Sequence, residues 1–242
     1  MLIGTVPRCF ALVPCAGVGS RAGAGGPKQY REVAGRSVVA HTLAALKAVP
    51  RIAGTLVVLS PEDDAFERHC PEHSAEWVVR CGGATRAETV ANGLAELQHS
   101  HGVQPHDWVL VHDAARCLLQ PGWVERLIDA CRDDEVGGLL ALPLADTLKR
   151  EAEGRVGATV PRAGMWAAQT PQMFRLGLLL RALAHAGTDT TITDEASAIE
   201  ALGHAPKLVP GDYQNIKVTW PEDFSLAERL MSSMHRSNIP TP

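Results

Sequence analysis

A doubly wound α/β fold around a mostly parallel sheet is predicted by three observations. Short apolar runs recur, among them Phe10–Val13, Leu56–Leu59 and Trp108–Val111. Stretches with helical spacing of apolar residues separate them. The runs are unbroken rather than alternating, which marks strands covered on both faces. The 242 residues, 45% hydrophobic and 21% charged, suit one such unit with a buried core, so a single domain over 1–242 is expected.

Taken in order, Phe10–Val13 opens the sheet and runs into a glycine-rich stretch ending at Gly26. Val39, Leu43 and Leu46 then share a helix face between Ser37 and Val49, and Pro50 marks its exit. Leu56–Leu59 is the second strand and Trp77–Val79 a short third. Ala87, Val90, Ala91, Leu94 and Leu97 line the next helix. Trp108–Val111 is a buried strand leading into His112 and Asp113. Pro121 starts a helix whose inner face is Val124, Leu127, Ile128 and Cys131, and Gly138–Leu144 is a further strand. Between Asp146 and Gln172 the rhythm changes to two extended segments around a polar turn, read as a β-arm over about 146–170. Helices over Phe174–His185 and Thr193–Leu202 follow. Asn215–Val218 alternates like a strand, and Thr219 with Glu222 is expected to cap a last helix.

The net charge of −4 argues against a general nucleic-acid binder, although a small anionic ligand needs only local positive charge. Six cysteines with no Cys-x-x-Cys pair read as reduced thiols. No run is long enough to span a bilayer, and no basic segment precedes an apolar one as in a signal peptide. The expectation is a soluble cytoplasmic protein without membrane or nucleic-acid partners.

The chemistry concentrates where parallel strands end, the usual ligand crevice of such sheets. Gly17-x-Gly19-x-x-Ala22 formally matches a dinucleotide fingerprint, but Gly23, Gly25, Gly26 and Pro27 forbid the helix that fingerprint requires. A long loop whose backbone N–H groups wrap phosphates is the alternative, bracketed by Arg21 and Lys28. Asp113 ends the most apolar strand with Arg116 close behind; it can hold a hydroxyl or sit beside a metal-bound phosphate, or serve as a turn aspartate. Gly82 and Gly83 let backbone approach a flat ring, and Thr89 adds a hydroxyl; a plain strand-to-helix turn is the competing reading. Asp194 and Glu195 look like helix-start acids first and site residues second. Lys217 could reach a cleft or face solvent. His69, Cys70 and His73, like His99 and His101, read as surface residues, since Pro71 breaks any shared ligand face.

These segments together resemble the 2-C-methyl-D-erythritol 4-phosphate cytidylyltransferase family. The matching stretches are Pro14-x-Ala-Gly-x-Gly-x-Arg21, Pro27-Lys-Gln29, Gly82-Gly-x-x-Arg86-x-x-Thr89, His112-Asp-Ala-Ala-Arg116, Asp146-Thr147, Arg162, Gln169-Thr-Pro-Gln172, Thr193-Asp-Glu-Ala196 and Asn215-Ile-Lys-Val218. The first is shared with many nucleotidyltransferases; the ordered set is specific, and it spans nearly the whole chain. Thr89 stands where the family often has serine, which keeps the hydroxyl.

The resemblance implies a Rossmann-like nucleotidyltransferase that joins CTP to methylerythritol phosphate and releases pyrophosphate. It implies CTP contacts from Pro14, Cys15, Ala16, Gly17, Gly19, Arg21, Lys28, Gly83, Thr89, Asp113 and Ala114. Substrate contacts would come from Asp113, Arg116, Thr147, Arg162, Thr170 and Lys217. Arg21 and Lys28 would stabilise the transition state, with Arg162 and Lys217 positioning the incoming phosphate. It further implies Mg²⁺ carried largely by the CTP phosphates, with no protein metal ligand assigned, and a homodimer that exchanges the β-arm. Thr147 and Arg162 would then act in either subunit's site. A cytidylyltransferase for another polyol phosphate such as ribitol 5-phosphate, a non-catalytic nucleotide binder and, more remotely, an NAD-linked oxidoreductase are the alternatives.

Overall fold

The computed structural model describes residues 6–17, 26–73, 77–187 and 191–237. Strand β1 (Cys9–Cys15) lies at its centre, and Ala11, Leu12 and Val13 are wholly buried. β1 pairs in parallel with β4 (Ile52–Leu59) on one side and with β6 (Trp108–Val111) on the other. β5 (Trp77–Val79) extends the β4 side in parallel. On the β6 side the order continues through β10 (Trp166–Arg175) and β7 (Gly137–Pro143) to β11 (Lys207–Pro210). β10 is antiparallel to both its neighbours, and β11 pairs in parallel with β7. The chain moves from β1 to β4 and β5, then crosses to β6. That reversal beside β1 opens a crevice at the C-terminal strand ends.

Helices cover both faces, as the unbroken apolar runs predict. α1 (Val38–Lys47) and α4 (Pro121–Cys131) pack on one side, burying Leu43, Leu46, Leu127 and Ile128. α3 (Arg86–His99), α5 (Leu176–Ala186) and α6 (Glu195–Ala201) cover the other, where Leu94, Leu179 and Ile199 meet Phe10, Leu12 and Val58. α2 (Phe66–His69) is a single turn. β2 (Glu32–Val33) and β3 (Arg36–Ser37) form a small hairpin that Val33 ties to a third cluster with α7 (Pro221–Ser237). A second hairpin, β8 (Leu148–Ala152) with β9 (Arg155–Val160), forms a sheet of its own whose side chains are almost all exposed. The segment Trp166–Arg175 that follows belongs to the main sheet instead.

Four local expectations are corrected. Asn215–Val218 is not a strand: the Asn215 amide donates to the Thr170 carbonyl at 2.8 Å, and the Asn215 carbonyl accepts from Arg116 at 2.6 Å, so the segment is pinned by side chains. Thr219 does not cap α7. Its hydroxyl donates to the Lys217 carbonyl, and the Asp223 carboxylate instead accepts from the N–H groups of Thr219 and Trp220. Phe174 and Arg175 finish β10 rather than start a helix. Cys70 is fully buried beside the Ser37 hydroxyl, unlike its exposed neighbour His69.

Candidate active site

The crevice beside β1 is a cavity of about 270 Å³. Its floor is the end of β1, Pro14 to Gly17. One wall is the turn from Gly83 to Thr89, and the other is built by Asp113 to Ala115, Lys28 and Lys217. Of the residues the sequence assigns to the site, Pro14, Cys15, Ala16, Gly17, Lys28, Gly83, Thr89, Asp113, Ala114 and Lys217 line this one cavity. Gly19 and Arg21 lie outside the described residues, as does most of the proposed phosphate loop.

The Gly83 wall is shaped by a helix start. Thr85 and Glu88 form a reciprocal capping box at the N-terminus of α3. The Thr89 hydroxyl accepts from the Gly83 N–H at 3.1 Å and donates to the Thr85 carbonyl at 2.9 Å, which folds the turn over. A Cβ on Gly83 would collide with the Cβ of Glu88 and come within 2.9 Å of its Oε2. Only glycine lets the turn lie this close, leaving a flat face towards the cavity.

Asp113 is the electrostatic centre. Its Oδ1 accepts from Arg86 Nε at 2.9 Å and its Oδ2 pairs with Lys217 Nζ at 2.7 Å. Burial would raise its carboxyl, but Arg86, then Lys217 and Arg116, hold it far below the ordinary carboxylate range. Its N–H donates to the Thr170 hydroxyl at 3.1 Å, and that hydroxyl lies 3.0 Å from His112 Nδ1. His112 is fully buried; desolvation brings its pKa down to about 4 despite the opposing pull of Asp113. The imidazole is thus neutral. With Nε2 facing the Arg116 carbonyl at 3.3 Å, the proton belongs there and Nδ1 accepts from Thr170.

Lys28 and Lys217 arrive from opposite ends of the chain. Lys28 Nζ donates to the Val218 carbonyl at 3.3 Å, and the Val218 N–H donates to Ala115 at 2.8 Å. Both lysines therefore border the same cavity, an arrangement suited to a polyanionic phosphate chain.

Other predicted residues lie elsewhere. Thr170 and Arg116 sit behind the wall: Thr170 braces Asp113 as above, and Arg116 donates to the carbonyls of Asn215 and Ala168. Arg162 and Thr147 are exposed on the segments flanking the β8–β9 hairpin and do not line the cavity. Two residues gain weight. Arg86 lines the cleft, and its Nη1 and Nη2 donate to Glu195 at 2.6 and 3.1 Å. Glu195 is 1% exposed, a buried ion-pair member rather than a helix-start acid alone. The glycine-motif context of Arg86 hinted at a site; its partner 109 positions away left no local signal.

Among the described residues no three His, Cys, Asp or Glu side chains converge to hold a metal ion. Asp113 already has both oxygens committed to cations. The described residues thus offer no ready metal cage there.

A crevice at the switch point of a mostly parallel sheet, floored by backbone and lined by lysines, defines a Rossmann-like α/β fold with an anion-binding cleft. Residues 9–233 match the family model IspD, 2-C-methyl-D-erythritol 4-phosphate cytidylyltransferase. The chain is 57% identical over 226 residues to the 2-C-methyl-D-erythritol 4-phosphate cytidylyltransferase of Laribacter hongkongensis, covering 93% of this chain and 96% of that one. It is 62% identical over 227 residues to the bifunctional enzyme IspD/IspF of Albidiferax ferrireducens, covering 94% of this chain but spanning only 54% of that longer protein. A crystal structure of 4-diphosphocytidyl-2C-methyl-D-erythritol synthase superposes with a TM-score of 0.83 at 43% identity, covering 93% of this chain and 98% of that one. The chain belongs to the 2-C-methyl-D-erythritol 4-phosphate cytidylyltransferase family.

Proposed function

We propose that this chain transfers the cytidylyl group of CTP to 2-C-methyl-D-erythritol 4-phosphate, giving 4-diphosphocytidyl-2-C-methyl-D-erythritol and pyrophosphate in the non-mevalonate route to isoprenoid precursors. The observation that carries the reading is the pair of lysines, Lys28 and Lys217, that line one backbone-floored cleft at the sheet's switch point. A phosphate oxygen of the acceptor attacks the α-phosphorus of CTP, and the bond to the pyrophosphate oxygen breaks in line. The acceptor is already an anionic nucleophile, so the site needs charge and alignment rather than a strong base. That fits a cleft whose carboxylate is locked as an anion and whose nearest histidine is buried and neutral.

In this reading the flat Gly83 turn, ordered by Thr89, receives cytosine, and the Pro14–Gly17 backbone with Ala114 passes beneath the nucleotide. Lys28, with Gly19 and Arg21, holds the triphosphate and stabilises charge developing in transfer. Lys217 and Arg162 position the acceptor phosphate, and Asp113, Arg116, Thr147 and Thr170 shape the acceptor pocket. Mg²⁺ enters with the triphosphate as part of the substrate.

The chain would act as one nucleotidyltransferase domain whose β8–β9 hairpin is an arm in a homodimer. Val156 on the hairpin, with Met165 and Trp166 where the chain re-enters the sheet, is exposed apolar surface suited to a partner subunit. The arm would then carry Thr147 and Arg162 to the acceptor. A cytoplasmic setting completes the reading, supported by six cysteines that stand as free thiols.

Pyrophosphate release with CTP and either methylerythritol phosphate or ribitol 5-phosphate tests the acceptor. The expected result is a clear kcat/KM preference for methylerythritol phosphate; preference for ribitol phosphate would overturn the assignment.

A further inference from the structure

A guanidinium lining an anion cleft ordinarily serves as a phosphate ligand. Arg86 is placed for that role but is committed elsewhere. Each of its three nitrogens donates to a carboxylate, Nε to Asp113 and both terminal nitrogens to Glu195. Glu195 is itself fixed from behind. The Gln172 side chain on β10 accepts from the Ala196 N–H at 2.8 Å and donates to Asp194, which caps α6. The grip on Arg86 is therefore anchored in the sheet.

Four charges stand in a row: Glu195, Arg86, Asp113 and Lys217. The side chains of Glu195 and Asp113 are 1% and 10% exposed, that of Arg86 28%, and that of Lys217 43%. The outermost member, Lys217, is the most exposed of the four. If Lys217 left Asp113 with no other cation present, a buried carboxylate would be stranded, at steep cost. With Arg86 on the opposite oxygen, Asp113 stays compensated while Lys217 turns to an incoming phosphate. Glu195 in turn cancels the charge of Arg86, so that the guanidinium does not itself capture the triphosphate.

We propose that Glu195 and Arg86 form a positioning pair: Glu195 aims and neutralises Arg86, and Arg86 holds Asp113 so that Lys217 can exchange between Asp113 and the acceptor phosphate. This rests on the cytidylyl-transfer reading for the identity of the phosphate, but the pair can be read by nucleotide binding alone.

The test uses the full chain with Glu195→Gln, which keeps shape and removes charge, and with Arg86→Gln/Glu195→Gln, which removes both charges. In the single variant Arg86 keeps only Asp113, which it shares with Lys217, and the row carries a net positive charge in the cleft. CTP binding by calorimetry is expected to tighten by about threefold or more and to depend more steeply on salt. kcat is expected to fall by about tenfold, because the phosphates are drawn out of register. In the double variant CTP affinity returns to near the parental value while kcat stays low. There Asp113 keeps Lys217 and Arg116 as its cations, and Lys217 is no longer free to leave without stranding it. Parental kcat and CTP affinity in both variants would overturn the proposal. So would CTP binding that weakens in step with turnover, which is what a bracing role alone gives, or failure of both variants to fold. Absence of activity in the parent protein would instead count against the transfer reading, with the binding comparison still deciding on the pair.

Discussion

Replacing Lys28 by alanine separates chemistry from folding. Lys28 is half-buried, and its bond to the Val218 carbonyl is long at 3.3 Å, so losing that bond should cost the fold about 1 kcal/mol. The cavity is otherwise intact, because Gln29 still donates to the Cys15 carbonyl and Val218 still pairs with Ala115. The transition state loses more. A fixed charge facing the developing negative charge in a partly desolvated cleft is worth about 3–4 kcal/mol, or roughly 10²–10³ in rate. The assay is pyrophosphate release at saturating CTP and methylerythritol phosphate, beside a thermal melt of the unliganded protein. At about 2–4 °C per kcal/mol for a chain this size, Tm should move by only a few degrees while kcat falls at least about 100-fold. Lys28→Arg should recover part of the rate, since the charge returns in a different shape. A folded Lys28→Ala protein with turnover within about threefold of the parent would refute the role of Lys28 and the charge-stabilisation logic behind it.

Further outcomes follow from the same geometry. His112 is held neutral in the fold, its pKa lowered from 6.5 to about 4, so the unfolded chain binds the extra proton and stability falls as pH drops from about 6.5 towards 4. Between pH 7 and 5 this amounts to about 2 kcal/mol, read as a falling Tm whose slope His112→Asn flattens; an unchanged slope in that variant contradicts the assignment. Gly83→Ala drives a methyl into Glu88 at the α3 capping box, and CTP KM should rise by about tenfold or more with Tm lowered slightly. Unchanged KM would mean that this turn does not face the nucleotide. If the proposed homodimer forms through the arm, the parent sediments as a dimer and Val156→Asp as a monomer with the core melt unaltered; a monomeric parent, or a variant that stays dimeric, would contradict that interface.

The central strands were legible because burial leaves its mark in composition. β1, β4, β6 and β7 read as apolar runs since both their faces are covered. β10 was hidden because it crosses the rear of the site, and its Gln169, Thr170 and Gln172 are buried yet polar. They serve as hydrogen-bonding scaffolding for Asp212, Asp113 and Glu195's helix rather than as core. β11 leaves no apolar run at the sheet margin, where only Val209 of its four residues is buried. The alternation of Asn215–Val218 had a different cause from the one alternation usually reports: Asn215 points into a polar network and Val218 into the α7 cluster. The cavity lining was legible through glycines and lysines at strand ends. The Arg86–Glu195 pair was not, because ion pairs across 109 positions leave no periodic trace.

The proposed reaction is transfer of a nucleotidyl group by charge and alignment within this cleft. Incubation of the protein with CTP labelled at the α-phosphorus, together with methylerythritol phosphate and Mg²⁺, tests it most directly. The label is predicted to appear in the cytidine diphosphate alcohol, with one pyrophosphate released per label transferred. Label that remains in CTP, or emerges as CMP, would contradict it.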